Sequence, residues 1–202
     1  AGKNVTVSNA ATIAQLTSID AANTNGTLTY TAVSDNISNL IDSNNANKSI
    51  YLAQGVDKDV TILNAATIAQ ITAVDGLNGS GSLSYSSISD NIANLYSNGS
   101  ANSKITAGVD VTVSGSATYS QLTAINSANG SGTVTTSSIT GTAQQLAENN
   151  GNFVAAGVDV TVSDAATIAQ LTTINADNGN GTLTYTALED TASNLATNTG
   201  SY

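Results

Sequence analysis

Three aspartates that recur at one place in a repeated phrase are the residues best suited to binding a metal ion. Asp59, Asp110 and Asp159 each precede a Val-Thr-Ile or Val-Thr-Val run, and Asn4 stands there in the first copy. Calcium prefers carboxylate and carbonyl oxygens, and it takes roughly six to eight of them at about 2.4 Å. On every second strand of a parallel sheet these carboxylates would lie roughly 10 Å apart, so one ion would contact only one of them. The row predicts either weak calcium sites completed by turn carbonyls or spaced charges that keep the chain soluble.

Alternating hydroxyl side chains form a second set of candidate binding residues. They fall on outward positions of predicted strands, at Thr27, Thr29, Thr31, Thr182, Thr184 and Thr186. Regular threonine ranks on a flat sheet resemble the faces of ice-binding β-solenoids, and hydroxyl groups also suit glycans. β-Branched residues favour exposed strand positions for structural reasons alone. A ligand face for ice or glycan is therefore the alternative to a purely structural sheet.

The residue types give little support to catalysis. The chain has no His and no Cys, so the common Ser–His and Cys–His nucleophile pairs cannot form. Paired carboxylates occur at Asp57 with Asp59 and at Glu189 with Asp190. Acid–base catalysis needs a cleft that separates the two pKa values, whereas acidic residues are also preferred where a helix begins. The sequence predicts no enzyme and no catalytic residue.

These residues recur because the chain consists of four copies of one pattern. The copies begin 55, 51 and 49 residues apart, at Val5, Val60, Val111 and Val160. Between residues 5–30 and 160–185, 21 of 26 positions are identical, which composition alone does not produce. We predict a single array over residues 1–202, with repeats at 1–55, 56–106, 107–155 and 156–202.

Each copy is predicted to open with a half-buried strand followed by a helix. In residues 5–8 the valines alternate with hydroxyl residues, which is the period of a strand with one buried face. Large apolar residues then recur at helical spacing from Ala10 to Ile19, with Ser8 or Asn9 as the predicted N-cap. Asn-Gly pairs predict tight turns and also match the glycosylation triplet. They lie at Asn25, Asn78, Asn98, Asn129 and Asn180.

The second half of each copy predicts another strand and another helix. Residues 27–31 alternate again, 23 residues after the first strand. Ser34 and Asp35 offer capping oxygens to the helix that follows. The buried face of this helix is predicted to carry Val33, Ile37 and Leu40. The leucines expected to be fully buried across the copies are Leu16, Leu40, Leu95 and Leu171.

The recurring strand–helix unit favours a right-handed α/β solenoid. Units of roughly 23 to 30 residues suit the stacked coils of leucine-rich-type folds. A helical crossover between parallel strands is nearly always right-handed. We predict an α/β fold of about eight strand–helix coils with one parallel sheet. The alternative is four tandem small α+β domains of ~50 residues, a size at which an isolated core is marginal.

Differences between the copies are confined to a few places. Length varies only after the second helix, and each variable stretch closes with an Ala, Gly and Val phrase at residues 53–56, 107–109 and 156–158. Glycine there permits a turn into the next strand. In the third copy Tyr119 replaces the helix isoleucine while Thr136 replaces the strand tyrosine. We expect these two positions to share a core layer, because the volume gained offsets the volume lost.

The charge balance excludes two classes of partner. Four Lys against 14 acidic residues give a net charge of −10, whereas nucleic acids and anionic membranes attract basic surfaces. No apolar run approaches the roughly 18 residues of a membrane-spanning helix, so membrane insertion is not expected. Lack of Cys excludes disulfides and thiolate metal sites, and it suits an extracellular chain as well as a cytosolic one.

One phrase runs through the copies and covers essentially the whole chain. It reads Ala-Ala-Thr-Ile-Ala-Gln-Leu-Thr, then Gly-Thr-Leu-Thr-Tyr-Thr and Asn-Leu-Ala. It resembles the tandem repeats of very large, acidic bacterial surface and secreted proteins, which are often adhesins or surface-layer-like arrays. The resemblance implies an extracellular or cell-surface, structural or adhesive role without enzyme activity, and it transfers no functional residue.

The two ends of the sequence favour association with like repeats. Residues 1–7 align with residues 156–162, and residues 198–202 align with residues 150–153, so both ends are cut in one phase. Neither carries the polar cap that ends a solenoid, and an open strand edge invites pairing. We predict end-to-end stacking into a filament, with Tyr202 of one copy against Ala1 of the next, or continuation in a longer array.

Overall fold

The structure is a computed structural model that describes residues 2–52, 57–198, 200 and 202. The chain forms two compact units, Ala1–Ile88 and Ser89–Tyr202. Two sequence predictions lie outside the described residues. They concern residue 1 as a stacking contact and the closing phrase at residues 53–56.

The first unit alternates short strands with helices. In chain order the elements are β1 (Val5–Val7), α1 (Ile13–Asn23), β2 (Leu28–Tyr30), β3 (Ala32–Asp35), α2 (Ile37–Leu40), a 3-10 turn (Ile50–Leu52), β4 (Asp59–Ile62), α3 (Ile68–Leu77), β5 (Leu83–Tyr85) and β6 (Ser87–Asn91). The division between the units falls within β6.

The second unit continues the same alternation. Its elements are α4 (Ile92–Leu95), β7 (Tyr96–Ser97), β8 (Ser100–Ala101), β9 (Asp110–Ser114), β10 (Ala117–Thr118), α5 (Tyr119–Asn129), β11 (Val134–Thr136), β12 (Ser138–Gly141), α6 (Ala143–Glu148), β13 (Asp159–Val162), α7 (Ile168–Asn178), β14 (Leu183–Thr184) and α8 (Ala192–Thr197). β7 and β8 form an antiparallel hairpin, whereas the pairs among β9 to β14 are parallel.

The predicted single parallel sheet is wrong, because the structure has several short sheets. In the first unit β1 pairs with β2, while β3 pairs with β4 and β4 pairs with β5. The chain bends at Thr31, so the second-half strand is divided into β2, which pairs back to β1, and β3, which pairs forward to β4. The second unit repeats this division, with β11 on β9 and β12 on β13. The expected α/β class with mostly parallel strands is confirmed.

Each long helix begins after a threonine rather than at the predicted N-caps. α1 starts at Ile13, and its N-cap is Thr12 instead of Ser8 or Asn9. The Thr12 hydroxyl accepts a hydrogen bond from the Gln15 amide at 3.1 Å, and the Gln15 side chain accepts one from the Thr12 amide at 2.9 Å. This reciprocal capping box recurs at Thr67, Thr118 and Thr167. Its Thr-x-x-Gln signature is readable in the sequence and was the better signal.

The second helix of the first copy is a single turn, and the placement of Val33 on it is wrong. Val33 lies in β3 opposite Val60, and the predicted caps Ser34 and Asp35 lie in the same strand. α2 spans only Ile37–Leu40. Val33 and Ile37 are both buried, although one lies in a strand and the other in a helix. A single helix face would bury them too, so the spacing of apolar residues could not distinguish a strand followed by a helix from one longer helix.

The buried core follows the predicted leucine positions. Leu16, Leu40, Leu95 and Leu171 are all fully buried, as predicted, and Leu16 and Leu171 confirm the helical phase of α1 and α7. Two glycines of the closing phrases, Gly108 and Gly157, have φ of +85° and +88°, as the predicted turns into the next strands require.

Aromatic pairs explain the exchange in the third copy. Tyr30 packs edge-on against Tyr51 with ring centres 5.8 Å apart. In the third copy the strand ring is lost at Thr136, and Tyr119 of α5 supplies a ring from the helix instead. It packs edge-on against Phe153 at 5.5 Å. The third copy thus keeps an aromatic pair, although one of its rings comes from the helix and not from the strand.

Two further expectations concern the joining of repeats and the membrane. The pairs β3–β4 and β12–β13 each join residues of two predicted repeats, an arrangement that four independent small domains would not show. None of the helices in the described residues is both long and apolar enough to cross a membrane.

Candidate functional site

The row of predicted calcium ligands fastens neighbouring strands together. Asp59 Oδ1 accepts hydrogen bonds from the Ser82 amide at 2.8 Å and from its hydroxyl at 2.7 Å. Asp110 Oδ1 accepts the same two bonds from Thr133, both at 2.8 Å. Each acceptor stands at the start of a strand, and each donor lies just before the strand paired to it. The carboxylate therefore ties the beginnings of two adjacent strands.

The same tie continues in the other copies. Asp159 Oδ1 accepts from the Thr182 amide at 2.9 Å, and Asn4 Oδ1 accepts from the Thr27 amide at 3.2 Å. The described part of the chain contains no group of three or more acidic, His or Cys residues that could hold a metal ion. Calcium binding at Asp59, Asp110 and Asp159 stays a prediction, and the observed partners of these side chains are protein groups.

These hydrogen bonds lower the pKa of the exposed carboxyl groups that accept them. The pKa of Asp59 lies below its ordinary value because the Ser82 hydroxyl and then the Ser82 amide stabilise the charged form. The pKa of Asp110 is lowered chiefly by the Thr133 amide and then by its hydroxyl. Such carboxyl groups are ionised over the whole neutral range. They act as hydrogen-bond acceptors rather than as proton donors.

The predicted ligand-face threonines lie at the surface. Thr27, Thr29, Thr31, Thr182, Thr184 and Thr186 are all exposed. They are not equivalent, because the amides of Thr27 and Thr182 are engaged by the strand ties, whereas Thr29 is the middle residue of β2 and Thr184 is the last residue of β14. Binding of ice or glycan by these residues stays a prediction.

Neighbouring strands place the mid-strand hydroxyl residues side by side. Thr6 lies opposite Thr29 in the first unit. In the second unit Thr135 lies opposite Thr112, and its hydroxyl donates to the Thr112 hydroxyl at 3.2 Å. Because the sheets are short, the hydroxyl groups form several short ranks within the units in place of the one continuous rank that a single sheet would give.

The sequence reasoning missed a row of buried asparagines at the ends of the long helices. These residues are Asn23, Asn78, Asn129 and Asn178, and all are buried. Asn78 Nδ2 donates to the Gly81 carbonyl at 2.6 Å, and Asn178 Nδ2 donates to the Gly181 carbonyl at 2.9 Å. Asn129 Nδ2 donates to the carbonyls of Val109 and Thr133. Asn78 and Asn129 were predicted as tight-turn residues. Asn78 is instead the C-cap of α3 and Asn129 is the last residue of α5, and the burial of both side chains does not fit glycosylation in the folded chain.

The loop after each buried asparagine depends on glycine at two places. The next residue has a positive φ, and it is Gly79, Gly130 or Gly179 in three copies. The third residue on is also glycine, and a Cβ at Gly132 would lie 2.2 Å from the Val109 carbonyl oxygen. The pattern Asn-x-x-Gly, present in every copy, was the available sequence signal.

A further set of side chains caps helices from an adjacent strand or turn. In the first unit the Asp35 carboxylate accepts from the Ile13 amide, the first residue of α1, at 2.9 Å. Asn64 Oδ1 accepts from the Ile37 amide, the first residue of α2, at 2.8 Å. Each cap lies about 22 to 27 residues later in the chain than the helix it serves. These bonds satisfy amides that a helix start leaves unpaired.

The second unit uses the same device. Asp164 Oδ1 accepts from the Ala143 amide at the start of α6 at 2.7 Å, and Asp190 Oδ2 accepts from the Ile168 amide at the start of α7 at 3.0 Å. Asp190 also accepts from the side chain of Asn194, and this bond is the largest cause of its lowered pKa. The predicted helix-start position of Asp190 is therefore correct, although it serves α7 as well as the helix that follows it.

Comparison with known proteins identified no relative of this chain. No protein-family model matches the chain, and no curated protein or solved structure shows significant similarity to it.

Proposed function

We propose that this chain is a non-enzymatic structural or adhesive repeat module of a bacterial cell-surface or secreted protein. Its strand–helix segments stack as the coils of a right-handed α/β solenoid, either as part of a longer array or end to end with like copies. The acidic composition and the repeated phrase support an extracellular location. Nucleic-acid binding needs a basic protein surface, and a net charge of −10 argues against one.

The observation that carries this proposal is the use made of the recurrent polar residues. The residues that recur with the period are those a catalytic or metal site would recruit, namely the Asp row, the capping Asx residues and the buried asparagines. Their side chains accept or donate hydrogen bonds within the backbone framework, between strands or at helix ends. The recurring polar residues therefore connect one strand or helix to the next. Contacts that repeat in this way suit an extended structural array.

Replacing one carboxylate separates a structural role from a catalytic one. Asp159→Asn retains an acceptor oxygen, whereas Asp159→Ala removes it. A structural role predicts that the Ala variant loses stability in urea unfolding, that the Asn variant loses less, and that neither changes turnover of chromogenic glycosides, esters or peptides. A hydrolase or lyase activity that disappears in either variant, with the fold unchanged by circular dichroism, would refute the proposal.

The adhesive aspect calls for a separate measurement. Beads coated with the chain should resist detachment by flow from bacterial or glycan-coated surfaces more strongly than beads coated with an unrelated protein of similar acidity. If the beads detach equally, the chain is a structural module without adhesive capacity.

A second candidate function is recognition of ice or glycan by the exposed threonines. It is favoured by the side-by-side hydroxyl groups of Thr112 and Thr135, which offer a regular pattern of donors and acceptors. Thermal hysteresis and a glycan array test it directly. The variant Thr29→Lys with Thr135→Lys should abolish any such signal, because a long charged side chain would interrupt an exposed hydroxyl rank in each unit.

A further inference from the structure

We propose that the entry segment of this chain, residues 3–19, receives the exit segment, residues 185–197, of a second copy. The two meet in the register that already joins successive repeats inside each unit. The inference rests on the proposed function, because it names the partner of the stacking repeat and the residues that meet. The joint itself is present in the structure twice, once within each unit.

The first unit shows the joint between the first copy and the next. β3 pairs in parallel with β4, and the Ile37 amide at the start of α2 donates to Asn64 Oδ1 at 2.8 Å. The Lys58 ammonium donates to the Tyr30 carbonyl at 2.6 Å and lies 4.6 Å from the centre of the Tyr30 ring. This joint thus combines a strand pair, an Asx cap and a cation over an aromatic ring.

The second unit shows the same joint between the third copy and the fourth. β12 pairs in parallel with β13, and the Ala143 amide at the start of α6 donates to Asp164 Oδ1 at 2.7 Å. α6 packs on α7, and Leu146 of α6 is fully buried. The matching leucine of the first unit, Leu40 of α2, is also fully buried. A short helix with one buried leucine therefore belongs to the joint.

The entry segment exposes the receiving side of this joint. An open groove of about 410 Å³ is lined mainly by Val7, Asn9, Ala10, Ala14 and Ile19. The residues equivalent to Val7 and Ile19 are buried in the internal joints, where they are Ile62 and Val74 in the first unit and Val162 and Ile174 in the second. Val7 and Ile19 themselves are only half-buried. The groove is thus the surface that an adjoining segment covers elsewhere in the chain.

The exit segment exposes the entering side. Leu195 of α8 is 41% exposed, whereas its equivalents Leu40 and Leu146 are 0% exposed. The other residues of α8 are exposed as well. Leu188, equivalent to the buried Val33 and Ile139, is only half-buried. An amphipathic strand and helix with this pattern fit the groove of the entry segment.

Register then assigns the contacts between the two copies. β1 of the receiving copy pairs with residues 187–190 of the other, since β4 pairs with β3 in that register. Asn9 caps the Ala192 amide at the start of α8, and Leu195 enters the groove. Lys3 stands at the position of Lys58, and it therefore meets Tyr185, which stands at the position of Tyr30. This last contact matches a cation on one side with a ring on the other.

Sedimentation velocity at rising concentration tests the contacts. The unaltered chain should associate reversibly. Leu195→Asp should weaken association by about 30-fold or more, because it places a charge at the centre of the interface. Asn9→Ala should weaken it by about fivefold through loss of the cap. Leu63→Asp is the matched control, since Leu63 is an exposed leucine (56%) outside both segments, and it should leave association unchanged. A chain that stays monomeric at every concentration, or an effect of Leu63→Asp equal to that of Leu195→Asp, refutes the proposal.

Cross-linking in a chain without natural cysteine tests the register. Thr6 and Glu189 are exposed, and the pairs Ser34–Thr61 and Thr140–Thr161 predict that they face each other across the two copies. A mixture of the Thr6→Cys and Glu189→Cys variants should give disulfide-linked dimers, and neither variant alone should do so. Dimers of Thr6→Cys alone would show a head-to-head contact and overturn the inference. If the mixed variants give no cross-linked dimers while coated beads still adhere, the contact between copies is refuted and the proposed function stands. If the chain turns over a substrate, the proposed non-enzymatic function is refuted and the contact between copies is unaffected.

Discussion

Thr24 occupies a backbone conformation that glycine adopts in the third and fourth copies. Its φ is 58° and its ψ is −98°, and Gly130 and Gly179 have nearly the same angles, 60° with −101° and 58° with −105°. A β-branched residue at positive φ is strained, because its side chain crowds the neighbouring carbonyl groups. The loop is still closed by its backbone, since the Gly26 amide donates to the Asn23 carbonyl at 3.4 Å, as the Gly132 amide does to the Asn129 carbonyl at 3.0 Å.

Replacing Thr24 with glycine is expected to stabilise the chain by about 1 kcal/mol. Relief of backbone strain is worth roughly 1–3 kcal/mol, and the greater freedom of glycine in the unfolded chain offsets up to ~1 kcal/mol of that gain. The reverse change, Gly130→Thr, should destabilise. Urea unfolding at neutral pH measures both, and equal midpoints for all three proteins would contradict the strain argument.

Close approach of strands at the second glycine gives a larger effect. A Cβ at Gly132 would lie 2.2 Å from the Val109 carbonyl oxygen, so Gly132→Ala must shift the backbone and should cost about 3 kcal/mol or more. Gly76 is the matched control, because it is exposed in α3 and a Cβ there meets nothing within 4 Å. Gly76→Ala should stabilise by about 0.5–1 kcal/mol through helix propensity. A similar loss in both variants would show that glycine content, and not contact, is responsible.

At the scale of elements, an Asp or Asn side chain ties each first-half strand to the strand that follows it, and at Asp59 and Asp110 the tie includes a hydroxyl donor. The tie favours the charged carboxylate, so the folded state binds protons less readily than the unfolded chain at that group. The contribution of Asp110 is therefore complete above its unfolded pKa of about 3.9, and it is lost as pH falls through its lower folded pKa.

Asp110→Asn should flatten the acid limb of the stability profile. The amide oxygen still accepts the Thr133 bonds but carries no titrating proton, so the variant should lose less stability between about pH 4 and more acidic values than the unaltered chain does. Urea midpoints measured from neutral pH downward provide the comparison. Thr133→Val, which keeps the amide donor and removes the hydroxyl, should fall between the two. Parallel acid limbs for the unaltered chain and Asp110→Asn would count against the tie.

The secondary structure was predicted well where the hydropathy pattern fits only one kind of element. It was predicted poorly where the same pattern fits both a strand and a helix. Val5–Val7 and the buried face of α1 follow directly from alternation and helical spacing. The division of the second-half strand at Thr31 was not predictable from hydropathy, because it is set by which neighbour each half pairs with. Asp35 was assigned to the helix that follows it, and its Oδ1 does accept hydrogen bonds there from the Asn36 amide and the Asn39 side chain. Its second oxygen also reaches α1 across 22 residues, which the sequence did not predict.

The candidate site shows the same limit at longer range. Exposure of the threonine ranks and position of the Asp row follow from the repeat, and both were predicted. The 23-residue spacing of the strands was read from the sequence, but the partners of the Asp row also depend on which strands pair, and only the structure shows that. Burial of Asn129 was missed because asparagine followed by glycine is typical of exposed turns. The Asn129 side-chain amide instead donates hydrogen bonds to two carbonyl groups at the helix end.

At the scale of the whole molecule, charge repulsion acts on every segment at once. Four Lys face 14 acidic residues, and a net charge of −10 opposes compact packing through self-repulsion. Salt screens this repulsion, since the Debye length falls to about 10 Å at 0.1 M ionic strength. The same acidity hinders the approach of two copies, so salt should also strengthen association through the entry and exit segments.

We therefore expect the thermal midpoint to rise with sodium chloride and to rise equally with potassium chloride. At constant ionic strength, replacing sodium by millimolar calcium distinguishes general screening from a specific site. The strand ties already occupy one oxygen of Asp59 and of Asp110, so calcium should raise the midpoint no more than magnesium does. A calcium-specific increase that Asp59→Asn, Asp110→Asn and Asp159→Asn together remove would establish the predicted calcium sites and show that the ties open to admit the ion.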